Sequence, residues 1–125
     1  MNVVDSSAWL EYFANAPAAE AFAPAIEDTR RLIVPVVTLY EVFKRVRQQR
    51  DETAALRAIA VMQQGEILPV DAGLAVAAAR LGAEHKLPLA DAPIYATARS
   101  RNATVWTQDE RFEGLPGVKF FRKPK

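Results

Sequence analysis

Apolar positions along the chain fall into short continuous runs, separated by longer stretches with helical periodicity. Val3-Val4 predicts a short strand that starts almost at residue one. Ser6 or Ser7 is then placed to cap a helix carrying Trp9, Tyr12 and Phe13 on one face. A short helix is expected over 18–27, although Pro24 interrupts it. Leu32-Ile33-Val34 reads as a second buried strand, ended by Pro35. Val36, Leu39, Tyr40, Phe43 and Val46 follow at helical spacing, and Lys44, Arg45, Arg47 and Arg50 make the last turns of that helix basic. Further helices are expected over 53–62, from an Asp71 cap to His85 with Leu74, Ala78 and Leu81 inward, and over 92–100. Strands are expected over 66–70, 104–107 and 118–121, before a basic tail at 122–125.

Continuous apolar strands that alternate with helices imply a sheet buried on both faces, hence a mainly parallel one. With right-handed crossovers the predicted architecture is a three-layer α/β/α sandwich. Its central, mainly parallel sheet has four to five strands, and one domain spans 1–125. Ligands of such sheets bind beyond the carboxyl ends of the strands.

Composition narrows the chemistry available at that edge. The 125 residues are 50% hydrophobic, with 16 Lys+Arg against 15 Asp+Glu and a net charge of +1, which excludes a polybasic or acidic disordered chain. Cysteine is absent, so disulfide scaffolds, thiolate metal sites and cysteine nucleophiles are excluded. That absence suits a reducing cytoplasm, where the protein is expected. The single histidine, His85, continues the Leu74–Ala78–Leu81 stripe and reads as a packed or surface residue. Trp9 and Trp106 likewise read as packing. No apolar run approaches the ~18 residues of a membrane span, and the amino terminus lacks a signal-peptide pattern. Acid–base or metal chemistry therefore rests on carboxylates.

Four carboxylates are expected at the ligand-binding edge. Asp5 follows the first strand, Asp109 the strand at 104–107, Glu41 lies early in the helix after the second strand, and Asp91 stands at the start of the helix containing Pro93. Each alone has an ordinary explanation: Asp5 and Asp91 as helix caps, Asp109 as the start of a turn, Glu41 as solvated surface. Converging, they would raise one another's pKa unless a cation neutralised them. Oxygen-only ligands favour Mg²⁺ or Mn²⁺ over zinc.

Four segments carry a family resemblance. They are Met1-Asn2-Val3-Val4-Asp5-Ser6-Ser7-Ala8-Trp9, Val37-Thr38-Leu39-Tyr40-Glu41-Val42, Leu87-Pro88-Leu89-Ala90-Asp91-Ala92-Pro93-Ile94-Tyr95-Ala96-Thr97-Ala98, and Trp106-Thr107-Gln108-Asp109-Glu110-Arg111-Phe112. In that order, over essentially the whole chain, they resemble the PIN domain, and more narrowly the VapC-type toxins of toxin–antitoxin pairs. Pro93 and Glu110 depart from the usual pattern. The resemblance implies a metal-dependent endoribonuclease using Mg²⁺ or Mn²⁺. Asp5 and Asp91 would be direct ligands, and Glu41 would complete the site or orient water. Asp109 would serve a second ion or a metal-bound water, and Ser7 or Ser6 would be the assisting hydroxyl. It also implies a VapB-type antitoxin that lays a helix across a groove, and a homodimer or toxin–antitoxin hetero-oligomer with no membrane association. The helices bearing Trp9, Tyr12 and Phe13, and Tyr40 and Phe43, would offer the docking surface.

RNA requires cations near the acids. Lys44, Arg45, Arg47, Arg50 and Arg99 are the candidates, with Arg101 and the tail from Arg122 to Lys125 behind them. A competing role for them is solvated helix face, with Arg47 pairing Asp51. Two other function classes compete, the first of which also places an Asp after the first strand and the second of which uses the acids only as caps. One is a phosphatase or phosphoryl-transfer enzyme of the haloacid-dehalogenase type with an Asp nucleophile, which wants a second Asp where this chain has Ser7. The other is a catalytically silent binding module.

Overall fold

Strand and helix alternate as the apolar pattern predicts. The computed structural model describes residues 1–123. In chain order it contains β1 (Asn2–Val4), α1 (Ser6–Phe13), α2 (Ala19–Glu27), a 3-10 turn (Thr29–Arg31) and β2 (Leu32–Pro35). There follow α3 (Val36–Gln49), α4 (Glu52–Met62), β3 (Glu66–Leu68), α5 (Ala72–His85), α6 (Asp91–Ser100), β4 (Thr104–Thr107), a second 3-10 turn (Glu110–Phe112) and β5 (Val118–Phe120). The five strands pair in parallel in the order β3-β2-β1-β4-β5.

Strand pleating divides the core in two, because successive side chains point to opposite faces. Val4, Leu32 and Val34 face a cluster with Trp9, Phe22, Val42, Ala55 and Met62, drawn from α1 to α4. Val3, Ile33 and Val105 face the other cluster, where Ala78 of α5 and Ile94, Tyr95 and Ala98 of α6 pack with Phe112. The result is the expected three layers. Beyond β1 the chain adds β2 and β3 on one side, then returns through α5 and α6 to add β4 on the other. That reversal opens a crevice past the carboxyl ends of β1 and β4.

Several local expectations shift. Asp5, rather than Ser6 or Ser7, caps α1: its backbone is extended and its Oδ1 accepts from the Ala8 amide at 3.1 Å. The inward face of α3 is Thr38, Val42 and Val46, with Leu39 and Phe43 half-buried. Val36 and Tyr40 turn outward and are exposed. Thr38 is tolerated inside because its hydroxyl donates to the Pro35 carbonyl at 2.7 Å. β3 stops at Leu68, not 70, because its register against β2 ends at the Pro35–Leu68 pair. α6 starts at Asp91, and Pro93 sits within its first turn, where no amide is needed. Pro24 lies within α2 on an exposed position. Trp9 is fully buried, whereas Trp106 is half-buried, stacks on Phe121 and donates from Nε1 to Asn2 Oδ1 at 2.9 Å. His85 packs edge-on against Tyr95. No helix of the described residues is long and apolar enough to cross a membrane.

Entry into β3 depends on close approach of backbone. A Cβ on Gly65 would stand 2.9 Å from the Leu32 carbonyl oxygen and 2.9 Å from Val34 Cγ2. Gly65→Ala is expected to destabilise the fold by ~1–3 kcal/mol in urea unfolding. Gly73→Ala, with only the Asp71 Oδ1 at 3.6 Å, should be neutral or stabilising by up to ~1 kcal/mol. Equal stability of the two variants would contradict this packing.

Candidate active site

Beyond the carboxyl ends of β1 and β4 lies a cavity of about 470 Å³. Asp5, Glu41, Asp91 and Asp109 all line it, together with Ser6, Ser7, Leu10, Tyr40, Lys44, Arg45, Gln48 and Arg111. The fold therefore gathers the four expected acids from four elements. β1 delivers Asp5 and β4 delivers Asp109. The second turn of α3 carries Glu41, and the first residue of α6 is Asp91.

Asp5 is 2% exposed. Ser7 Oγ lies 3.1 and 3.0 Å from its two oxygens. Burial pushes its pKa up from 3.8 to about 7 and the Asp109 charge adds to that, against the Ala8 amide and the Thr107 and Ser7 hydroxyls. Ser6 donates instead to Glu41 Oε1, so the two consecutive hydroxyls brace two different acids. Asp91 is the second strained carboxylate. Burial, then the charges of Asp109 and Glu41, raise its pKa to about 6, while Arg111 opposes them. The expected capping role of Asp91 does not hold. Ala90 is the N-cap, no side-chain cap bond forms, and Asp91 Oδ2 is buried with no hydrogen-bond partner. Asp109 does begin a turn, its Oδ1 accepting from the Arg111 amide at 3.0 Å, and still faces the cavity.

Arg111 has no counterpart among the sequence-derived candidates. Its guanidinium stands 3.4 Å from Asp109 Oδ2 and 3.8 Å from Asp91 Oδ2. The available signal was its place two residues after Asp109, inside a turn that Asp109 caps. Tyr40 and Gln48 line the cavity too; the spacing of Tyr40 fits an apolar stripe, but α3 turns it outward.

The expected cations separate into two groups. Lys44 and Arg45 line the cavity. Arg47 does not, and pairs with Glu52 at 3.5 Å rather than with Asp51, which caps α4. Arg50 lines a separate apolar groove with Leu10, Phe13, Val46 and Ala58. Arg99 lies against Gly117, before β5, and Arg101 makes a two-pronged bond with Glu66 at 2.9 and 3.0 Å. Arg122 pairs with Glu113, and Lys123 lines a neighbouring hollow with Ser7, Asp109 and Arg111. The last two tail residues, 124 and 125, lie outside the described residues.

A divalent cation fits the donor set. All four side chains offer hard oxygen, Asp91 Oδ2 is buried without a hydrogen-bond donor, and burial first, then like charge, raises the pKa of Asp5 and of Asp91. As the side chains stand, no three acidic or histidine groups among the described residues are close enough to hold one ion together. Arg111 is the cation beside Asp91 and Asp109 in this arrangement.

The PIN domain family model matches residues 3–118. A member of the VapBC family of toxin–antitoxin systems, VapBC-5 from Mycobacterium tuberculosis, is 31% identical, with 98% of each chain covered and a TM-score of 0.64. A toxin–antitoxin complex from Klebsiella pneumoniae shares the fold at 23% identity and a TM-score of 0.82, covering 98% of this chain and 100% of that one. VapC20 of M. tuberculosis, described as a sarcin-ricin loop cleaving toxin, shares it at 18% identity and a TM-score of 0.78, covering 94% and 97%. No curated protein matches the chain.

The raised pKa of Asp5 makes stability depend on pH. The folded state holds a proton on Asp5 up to about pH 7, and an unfolded chain releases it near 3.8. The fold therefore binds more protons in that window, and stability falls as pH rises through it. Asp91 acts with the same sign up to about 6. In EDTA, urea unfolding is expected to show wild type about 2 kcal/mol less stable at pH 8 than at pH 5.5 on account of Asp5. Asp5→Asn, which can still cap α1, should reduce that difference. The same slope in both proteins would show that Asp5 is not the source.

Proposed function

The chain belongs to the PIN domain family, and from that premise we propose that it is a metal-dependent endoribonuclease, the toxin of a VapBC-type pair. The observation that carries this is the gathering of Asp5, Glu41, Asp91 and Asp109 in one cavity, two of them at a cost in burial. Carboxylates held out of water beside like charges are expensive to keep, and such groups cluster at functional sites. A 31% identical VapBC-family relative supports the toxin assignment, and the fold shared with a sarcin-ricin loop cleaving toxin is in keeping with RNA as substrate.

Asp5 and Asp91 would hold Mg²⁺, or Mn²⁺ in its place, with Glu41 and Asp109 completing the donor set or serving a second ion. When bound, such an ion neutralises the acids, polarises a phosphoryl oxygen and lowers the pKa of water. The protein's own groups do the positioning. Ser7 fixes the Asp5 carboxylate, and Ser6 fixes Glu41 where it completes the site or orients the attacking water. Lys44 and Arg45 on the cavity wall draw the RNA backbone toward an acidic centre. Arg111 is placed to exchange its carboxylate partners for phosphate. Water attacks phosphorus in line with the departing 3′ oxygen, leaving a 5′-phosphate and a 3′-hydroxyl.

A free ribonuclease is toxic to its host, and this reading includes a VapB-type antitoxin. The apolar groove between α1, α3 and α4, lined by Leu10, Phe13, Val46, Ala58 and Val61, suits a partner helix and meets the acid cavity at Leu10. Trp9, fully buried, takes no part in such docking. A homodimer or toxin–antitoxin hetero-oligomer remains part of the same proposal, as does a cytoplasmic site of action.

Purified protein given RNA and Mg²⁺ is expected to produce 5′-phosphate and 3′-hydroxyl ends, and EDTA should abolish cleavage. Asp5→Asn and Asp91→Asn should each lower the rate by about 100-fold or more. Cyclic 2′,3′-phosphate ends would overturn the mechanism, since the 2′-hydroxyl would then be the nucleophile. Undiminished cleavage in EDTA would overturn the role of the metal. Release of phosphate from small monoesters without RNA cleavage would favour the Asp-nucleophile phosphatase instead.

A further inference from the structure

The outward face of α3 is left unexplained by the four acids. Tyr40, Lys44 and Gln48 recur every fourth residue, so they share one face of the helix. Together with Glu41 and Arg45, all three line the acid cavity. The opposite face, Thr38, Val42 and Val46, is buried. Tyr40 is 66% exposed, and among the described residues it is the one aromatic ring among the exposed large hydrophobic side chains. An exposed ring beside a polar, charged cavity gains nothing for the core.

We propose that Tyr40 and Lys44 form a platform for one unstacked nucleobase of single-stranded RNA, next to the cleavage point. The base stacks on the tyrosine ring, and the adjoining phosphate pairs with Lys44. This inference rests on the ribonuclease reading of the same cavity and names how that site takes its substrate.

Three features select a nucleobase as the occupant. The first is position: Tyr40 precedes Glu41 in the chain, so a base on its ring belongs to a nucleotide beside the acids. The second is charge. Lys44 Nζ lies 5.8 Å from the Tyr40 ring centroid. Lys44 and Arg45 make no ion pair within 4 Å among the described residues, whereas Arg47, Arg101, Arg111 and Arg122 are all engaged. Two cations without a carboxylate partner, one of them over the Tyr40 ring, match a phosphate and a base that takes the place of the ammonium on that ring. The third is access, since a base stacked within a duplex cannot present its face to a side chain. The platform therefore selects single strands or loops, and it tolerates sequence because every base has a π-face.

The test uses full-length protein carrying Asp91→Asn to silence cleavage, and a fluorescein-labelled 12-nucleotide single-stranded RNA of mixed sequence read by anisotropy. Tyr40→Phe should bind within about twofold of the parent, while Tyr40→Ala and Tyr40→Leu should each bind about tenfold more weakly. Lys44→Ala should flatten the salt dependence of binding by about one phosphate contact. The same RNA annealed to its complement should bind without sensitivity to Tyr40. Equal binding by the Ala and Tyr proteins, or by the Leu and Phe proteins, would overturn the platform. So would an equal loss with duplex, or no binding of the RNA at all. Failure of the wild-type protein to cleave RNA in Mg²⁺ is a separate result that overturns the ribonuclease reading, while anisotropy still decides the role of Tyr40.

Discussion

Burial of the Asp5 carboxylate is the constraint on which the rest of the site depends. The residue stands at the end of the central strand, where the strand order reverses, so it is enclosed by the layers on both sides of the sheet. Its pKa of about 7 expresses the cost of keeping a charge there. The cost is offset locally. One oxygen accepts the Ala8 amide and so starts α1, the Ser7 hydroxyl lies within 3.1 Å of both oxygens, and the Asp5 amide donates to the Trp106 carbonyl at 3.2 Å. The same residue thus begins a helix through its side chain, ties β1 to β4 through its amide and lines the cavity.

The structure shows why structural and chemical roles for these acids are not alternatives. Asp5 caps α1, Asp109 caps the turn after β4, and both still reach the cavity. Asp91 is the exception that carries information. It stands in the first turn of α6 without a capping bond, with one oxygen buried and unpartnered. A residue needed only for its helix would bond an amide there. Arg111 partly compensates Asp91 from 3.8 Å, yet burial, then the charges of Asp109 and Glu41, still raise the Asp91 pKa to about 6.

Much of the fold was legible because its strands are short, apolar and bounded by Pro or polar residues, as at Leu32–Pro35 and Thr104–Thr107. The parallel sheet and its chemical edge follow from the alternation of elements, which alone places Asp5 and Asp109 at the ends of their strands. Helix faces were less legible. Periodicity in α3 fits two adjacent stripes, and only the packing of Val42 against the sheet side selects one and turns Tyr40 outward. Side-chain pairing was least legible. Asp51 lies nearer to Arg47 in sequence than Glu52 does, yet Arg47 pairs with Glu52, because Asp51 caps α4. Arg111 escaped notice because charge alone does not say which of 16 bases folds back over the acids.

The central claim is that the buried carboxylates form a divalent-cation site. The most direct measurement is a calorimetric titration of the full chain with Mn²⁺ at pH 7.5, repeated with Asp91→Asn. The account predicts saturable uptake of at least one ion per chain by wild type and its loss in the variant. A wild-type chain that takes up no ion, or a variant that binds as well as wild type, would contradict it.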